Sequence, residues 1–120
     1  MTIKLPTRED FAGCLHSSFR VIDELPDEFD LELVRVSDLR ATPQQENFSI
    51  IFQGPMERFM PQRIYRLKHD RLGELDLFLV PIGQQAETIQ YEAVFNVLVG
   101  RVENDPAGSV LMHQSRVERE

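Results

Sequence analysis

The reactive potential of the chain is concentrated in one cysteine, Cys14, and three histidines, His16, His69 and His113. A thiol held beside an imidazole is the pairing that nucleophilic hydrolysis requires. His16 is too close to Cys14 in sequence to indicate such a pair, so a cysteine hydrolase would rest on Cys14 with His69 and is the remote alternative. The plainer assignment for Cys14 is a small buried apolar group on a helix face. The histidines lack the His-x-x-x-His spacing with which a helix presents two zinc ligands. The glycines at 54, 73, 83 and 100 each stand alone as turn residues, so they build neither a phosphate loop nor a dinucleotide fingerprint, and no nucleophile elbow is present. The expectation is therefore no catalytic residue, no metal and no cofactor.

Two surface features could instead carry binding. Asp23, Glu24, Asp27, Glu28, Asp30 and Glu32 place six carboxylates in ten residues. The run lacks the Asp-x-Asp-x-Asp-Gly loop of a calcium site and reads as a solvated acidic loop. Arg58, Arg63, Arg66, Lys68 and Arg71 make the middle of the chain basic. Acidic loop to basic hairpin would permit head-to-tail pairing of copies, and it would equally permit charge pairing within one copy. The second feature is the loop bearing Met56, Phe59 and Met60, which either plugs a barrel mouth or forms an adaptable apolar patch anchored by Phe59 and Met60. Asp27, Glu28, Met56, Phe59, Met60, Arg63, Arg66 and Arg71 are accordingly the candidate partner-binding residues of the main domain.

The elements that would position these groups follow from periodicity. Thr7 and Asp10 have the spacing of a capping box, and Phe11, Cys14 and Leu15 share one helical face. Residues 8–15 thus read as a short lid whose Phe11 plugs one end of a β core. Strands are expected at 19–22, at 30–36 and at 48–53. In the second of these the apolar phase slips after Leu33, which requires either a β-bulge near Leu33 and Val34 or a strand covered on both faces. Residues 40–47 read as a polar loop, and Gly54 with Pro55 as the stop of the third strand. Residues 64–80 form a hairpin. A loop of residues 71–73 would oppose Leu67 to Leu77, Tyr65 to Leu79 and Lys68 to Asp76, with Gly73 taking positive φ. A last strand begins at Tyr91 and runs to Val99.

Six strands with short connections and one helix predict a mainly all-β fold, a small antiparallel six-stranded barrel or sandwich with a short N-terminal helix. Residues 1–100 make one domain. Residues 101–120 form a polar extension whose Val110, Leu111 and Met112 would dock on its own body or on another copy. With 42% hydrophobic residues in 120, the chain can bury a single core, and a lone cysteine excludes an internal disulfide. A formal charge of −7 opposes nucleic-acid binding. Apolar runs such as 50–52 and 77–80 are far below the roughly 20 residues of a membrane span. The start of the chain lacks the pattern of a signal peptide, so the expected location is cytoplasmic, with surface association only through a partner.

The blocks FSIIFQGP at 48–55, PQ at 61–62, YRL at 65–67 with His69, LG at 72–73, LFLVPIG at 77–83 and YEAVFN at 91–96 resemble a family of short bacterial proteins of unknown function. The resemblance extends from about residue 7 to 96. It departs from the family at Arg63, where glycine is common, and in the extension past Asn96. It carries no assigned enzyme chemistry. It implies companionship with phage-tail-collar-like proteins, and hence a role in a tail-derived surface fibre or its assembly. The leading expectation is a non-enzymatic interaction or structural module acting with a protein partner or with copies of itself. The alternative is a small-ligand-binding barrel whose pocket is lined by Tyr65, His69 and Tyr91.

Overall fold

The computed structural model describes residues 6–23, 28–43, 45–98 and 111–114. Helix α1 spans Arg8–Ala12, shorter than the segment expected from the sequence. Its capping box is complete, with Thr7 Oγ1 accepting from the Asp10 N–H and Asp10 accepting from the Thr7 N–H. The helix ends at its C-cap Gly13, and Phe11 is fully buried in the core.

Eight strands follow among the described residues: β1 Ser18–Val21, β2 Phe29–Val36, β3 Arg40–Ala41, β4 Gln45–Pro55, β5 Arg63–His69, β6 Gly73–Gln85, β7 Thr88–Leu98 and β8 Leu111–Gln114. Six of them close an antiparallel barrel in the order β4-β2-β1-β5-β6-β7, with the circuit completed by β7 on β4. The connection from β4 returns the chain to lie beside β1, so β5-β1-β2-β4 is a Greek key. β3 lengthens the sheet on β4, and β8 on β7, at the end where these two long strands run beyond the barrel. Inward residues alternate strictly: Tyr65, Leu67 and His69 on β5, Leu75, Leu77 and Leu79 on β6, and Tyr91, Ala93 and Phe95 on β7 are buried. Phe11 of α1 closes one end against Phe95 and Phe48, at ring separations of 5.3 and 6.3 Å.

The bulge alternative for β2 is the one realised. The pairing of β2 with β4 shifts between Leu33 and Arg35, leaving Val34 as the extra residue. Three other expectations are corrected. Residues 40–47 are not an irregular loop: they include β3 and the start of β4, paired Arg40 to Asn47 and Ala41 to Glu46. Gly54 does not stop β4, which continues to Pro55 opposite Thr88. A Cβ on Gly54 would stand 2.6 Å from Leu31 Cδ2, so this glycine leaves room for the buried Leu31 side chain. The hairpin register is Leu67 to Leu75, Tyr65 to Leu77 and Lys68 to Glu74, two residues from that expected. The turn is residues 70–72, because His69 already pairs with Gly73, whose φ of +74° confirms its left-handed conformation. Pro81 is accommodated in β6 at a second register shift, between Pro81 and Gly83, where ladder hydrogen bonding is interrupted.

Candidate functional site

The three polar side chains expected to line a pocket are instead built into the packed interior. Tyr65 and Tyr91 are fully buried. The Tyr65 hydroxyl donates to the Pro61 carbonyl. Tyr91 Oη accepts the Met60 N–H at 3.0 Å, and burial pushes the pKa of its hydroxyl up against the opposing pull of that amide. The loop from β4 to β5 is thereby stitched over the barrel mouth.

His69 stands at the opposite end, in the only constellation of the described residues that joins a thiol, a hydroxyl and an imidazole. Its Nδ1 accepts the N–H groups of Arg71 at 3.0 Å and Leu72 at 3.3 Å, and Cys14 Sγ lies 4.0 Å from the same nitrogen. A nitrogen accepting backbone amides holds no proton, so the neutral ring carries its hydrogen on Nε2. That hydrogen points at Ser17 Oγ, 2.8 Å away, while Ser17 donates onward to the Cys14 carbonyl. A base for either Cys14 or Ser17 would need its free lone pair facing the nucleophile. Here Nε2 faces Ser17 as a donor, and the Nδ1 lone pair is shared by two turn amides. Burial pushes the His69 imidazole below its ordinary range, with Asp70 acting against that shift and Arg71 with it.

The outer barrel wall offers a different kind of site. Phe59, Ile64 and Ile82 are exposed at 58%, 45% and 38%. Ile64 sits opposite Phe78 across β5 and β6, on the face turned away from Tyr65 and Leu77. Val80 continues that face along β6, and Ile82 is the extra residue of the Pro81/Gly83 shift. The loop bearing Phe59 lies against the same end of β6, since Gln84 Nε2 donates to Met56 Sδ at 3.7 Å. The loop divides its apolar residues. Met60 is 1% exposed and plugs the core, which removes it as a surface anchor; Met56 is half-buried, and Phe59 projects outward. The sequence reading missed Ile64, Phe78, Val80 and Ile82. The signal for Phe78 and Val80 was the run at 77–80, apolar in both strand phases.

The charged candidates are engaged within the chain. Arg63 reaches Asp23 at 3.3 Å and stacks over the Tyr65 ring at 3.9 Å; Arg66 reaches Asp76 at 3.1 Å. Asp23 also accepts the Arg66 N–H at 3.1 Å. Arg20 joins Asp30 at 3.2 Å and Glu28 at 4.0 Å, and Arg71 donates to the Gly13 carbonyl at 3.4 Å. Of these contacts, those of Asp23 with Arg63 and with the Arg66 N–H join the acidic run to the basic hairpin within one copy. Asp27 and Val110 lie outside the described residues. Leu111 and Met112 belong to β8, opposite Leu98 and Val97. No group of three or more metal-ligating side chains occurs among the described residues, and no helix among them is long and apolar enough to cross a membrane.

Residues 6–95 match a family model described as Domain of unknown function (DUF6916). No curated protein and no solved structure matches the chain.

Proposed function

The chain belongs to the DUF6916 family, and from that premise we propose that it is a non-enzymatic interaction module, a barrel that presents its β5–β6 wall to a protein partner. The observation that carries this reading is the wall itself: Phe59, Ile64 and Ile82 exposed, with half-buried Phe78 and Val80 on the same wall, on a barrel whose inward side chains are buried. An exposed aromatic side chain together with exposed aliphatic ones is the composition of an apolar interaction patch. The absence of a role in bond-breaking is supported by the His69 tautomer, which aims a proton rather than a lone pair at Ser17. The finer assignment, a subunit or assembly partner of a phage-tail-like surface fibre, is supported by the family resemblance in the sequence blocks alone.

The test is retention of a specific complex from the native cell by Phe59→Asp and Ile64→Asp, read by light scattering after size-exclusion chromatography. Both side chains are exposed, so the melting temperature of each variant is expected to stay near that of the unsubstituted chain while the complex is lost. A complex of unchanged mass and stability in both variants overturns the assignment of this wall.

A further inference from the structure

The end of the barrel opposite the Met60 plug is held by contacts between two turns that are distant in sequence. One is the turn after α1, residues 13–17, and the other is the β5–β6 turn, residues 70–72. His69 links them, with Nε2 on Ser17 Oγ at 2.8 Å and Nδ1 on the Arg71 and Leu72 amides at 3.0 and 3.3 Å. Arg71 adds a second tie through Nη1 to the Gly13 carbonyl at 3.4 Å.

We propose that His69 is an acid-sensitive latch: its neutral ring, tied by Nε2 to the turn after α1, fastens the β5–β6 turn through Nδ1, and protonation at Nδ1 releases the β5–β6 turn.

The two nitrogens respond differently to acid. Nε2 carries a hydrogen in both charge states, so its bond to Ser17 survives protonation. Nδ1 is the discriminating atom. Once protonated it becomes a donor facing two N–H groups, and both part-buried amides lose their acceptor. The ring has little room to turn away, being 6% exposed and 4.3 Å from the Phe19 ring. The groups facing it are the Cys14 thiol and Ser17 hydroxyl from the turn after α1, Phe19 from β1, and the charged Asp70 and Arg71 of its own turn. Asp70 favours the imidazolium and Arg71 opposes it, whereas burial, the largest influence, keeps the ring neutral. A histidine that is harder to protonate when folded makes the unfolded chain the better proton binder. The latch therefore contributes fully above the ordinary histidine value and is lost as pH falls below it.

Cys14 reports the release, because its thiol is 3% exposed beneath the latch. Its labelling by 4,4′-dithiodipyridine would be measured on the full chain at about pH 7.5 and about pH 5, each rate divided by that of the urea-unfolded chain at the same pH. The protection ratio is expected to fall about tenfold or more in acid, the size of effect that one unsatisfied amide produces. In His69→Gln the ratio is expected to be the same at both pH values, whether that variant is latched or open. Hydrogen exchange on the unsubstituted chain supplies the second readout: the Arg71 and Leu72 amides should lose protection in acid while those of Phe52 and Tyr91 keep it. Equal thiol protection at the two pH values overturns the latch. So does an undiminished pH response in His69→Gln, or a uniform loss of protection over the whole barrel.

Discussion

At the scale of single residues, two glycines separate two physical requirements. Gly54 has an ordinary strand conformation and no space, since a Cβ would meet Leu31 Cδ2 at 2.6 Å and Leu31 is itself fully buried. Gly73 has open space and an unusual backbone, with nothing within 4 Å of a Cβ but φ at +74°. Gly54→Ala should therefore destabilise by overpacking, about 1–3 kcal/mol in chemical denaturation. Gly73→Val should lose about 1–2 kcal/mol through backbone strain, and Gly73→Asn markedly less, because asparagine tolerates the left-handed region. Equal losses for Val and Asn at position 73 would show that crowding, not conformation, decides there. The sequence made Gly73 legible because a turn between alternating strands calls for positive φ. It gave no sign of the Gly54 contact, which depends on where the Leu31 side chain of β2 packs over β4.

At the scale of elements, periodicity was informative where it broke. The phase slip after Leu33 located the bulge at Val34, since one inserted residue exchanges the two faces of a strand. The same logic failed for the β5–β6 register. Pairing Leu67 with Leu75 or with Leu77 sets apolar residues against each other in both cases, because a shift of two preserves every face. The choice was made by His69, whose ring binds the Arg71 and Leu72 amides and closes the turn at residues 70–72. Disulfide trapping in a Cys14→Ser background distinguishes the registers. Arg66→Cys with Asp76→Cys places two thiols directly opposite and should form a bridge on mild oxidation, seen as a two-hydrogen mass loss. Lys68→Cys with Asp76→Cys lies on a diagonal of about 7–8 Å and should stay reduced. The reverse result would restore the register expected from sequence. β3 left little pattern to detect, since two exposed residues carry no alternation.

At the scale of the whole molecule, closure of the barrel and extension of its sheet are separable. β7 pairs with β4 along its full length, with β6 from Thr88 to Glu92, and with β8 from Phe95 to Leu98. The β8 contacts thus begin where β7 has left β6, with core residue Phe95 as the first of them. Charge adds little to holding the body together, because pairs such as Arg20 with Asp30 and Arg66 with Asp76 are about half exposed on both partners and such pairs contribute only about 0–1 kcal/mol each. Burial of Phe19, Phe52, Tyr65, Tyr91 and Phe95 carries the stability instead, and none of these lies in β8. A chain lacking residues 101–120 should consequently keep a cooperative melt near that of the full chain. Hydrogen exchange should locate its loss: the β7 amides at 95–98 that bond β8 should exchange freely, while those at 89–93 remain protected by β4 and β6. If truncation instead lowers protection through β1, β2 and β5 as well, β8 is a structural member of the barrel, and the six-strand circuit is not a self-sufficient fold.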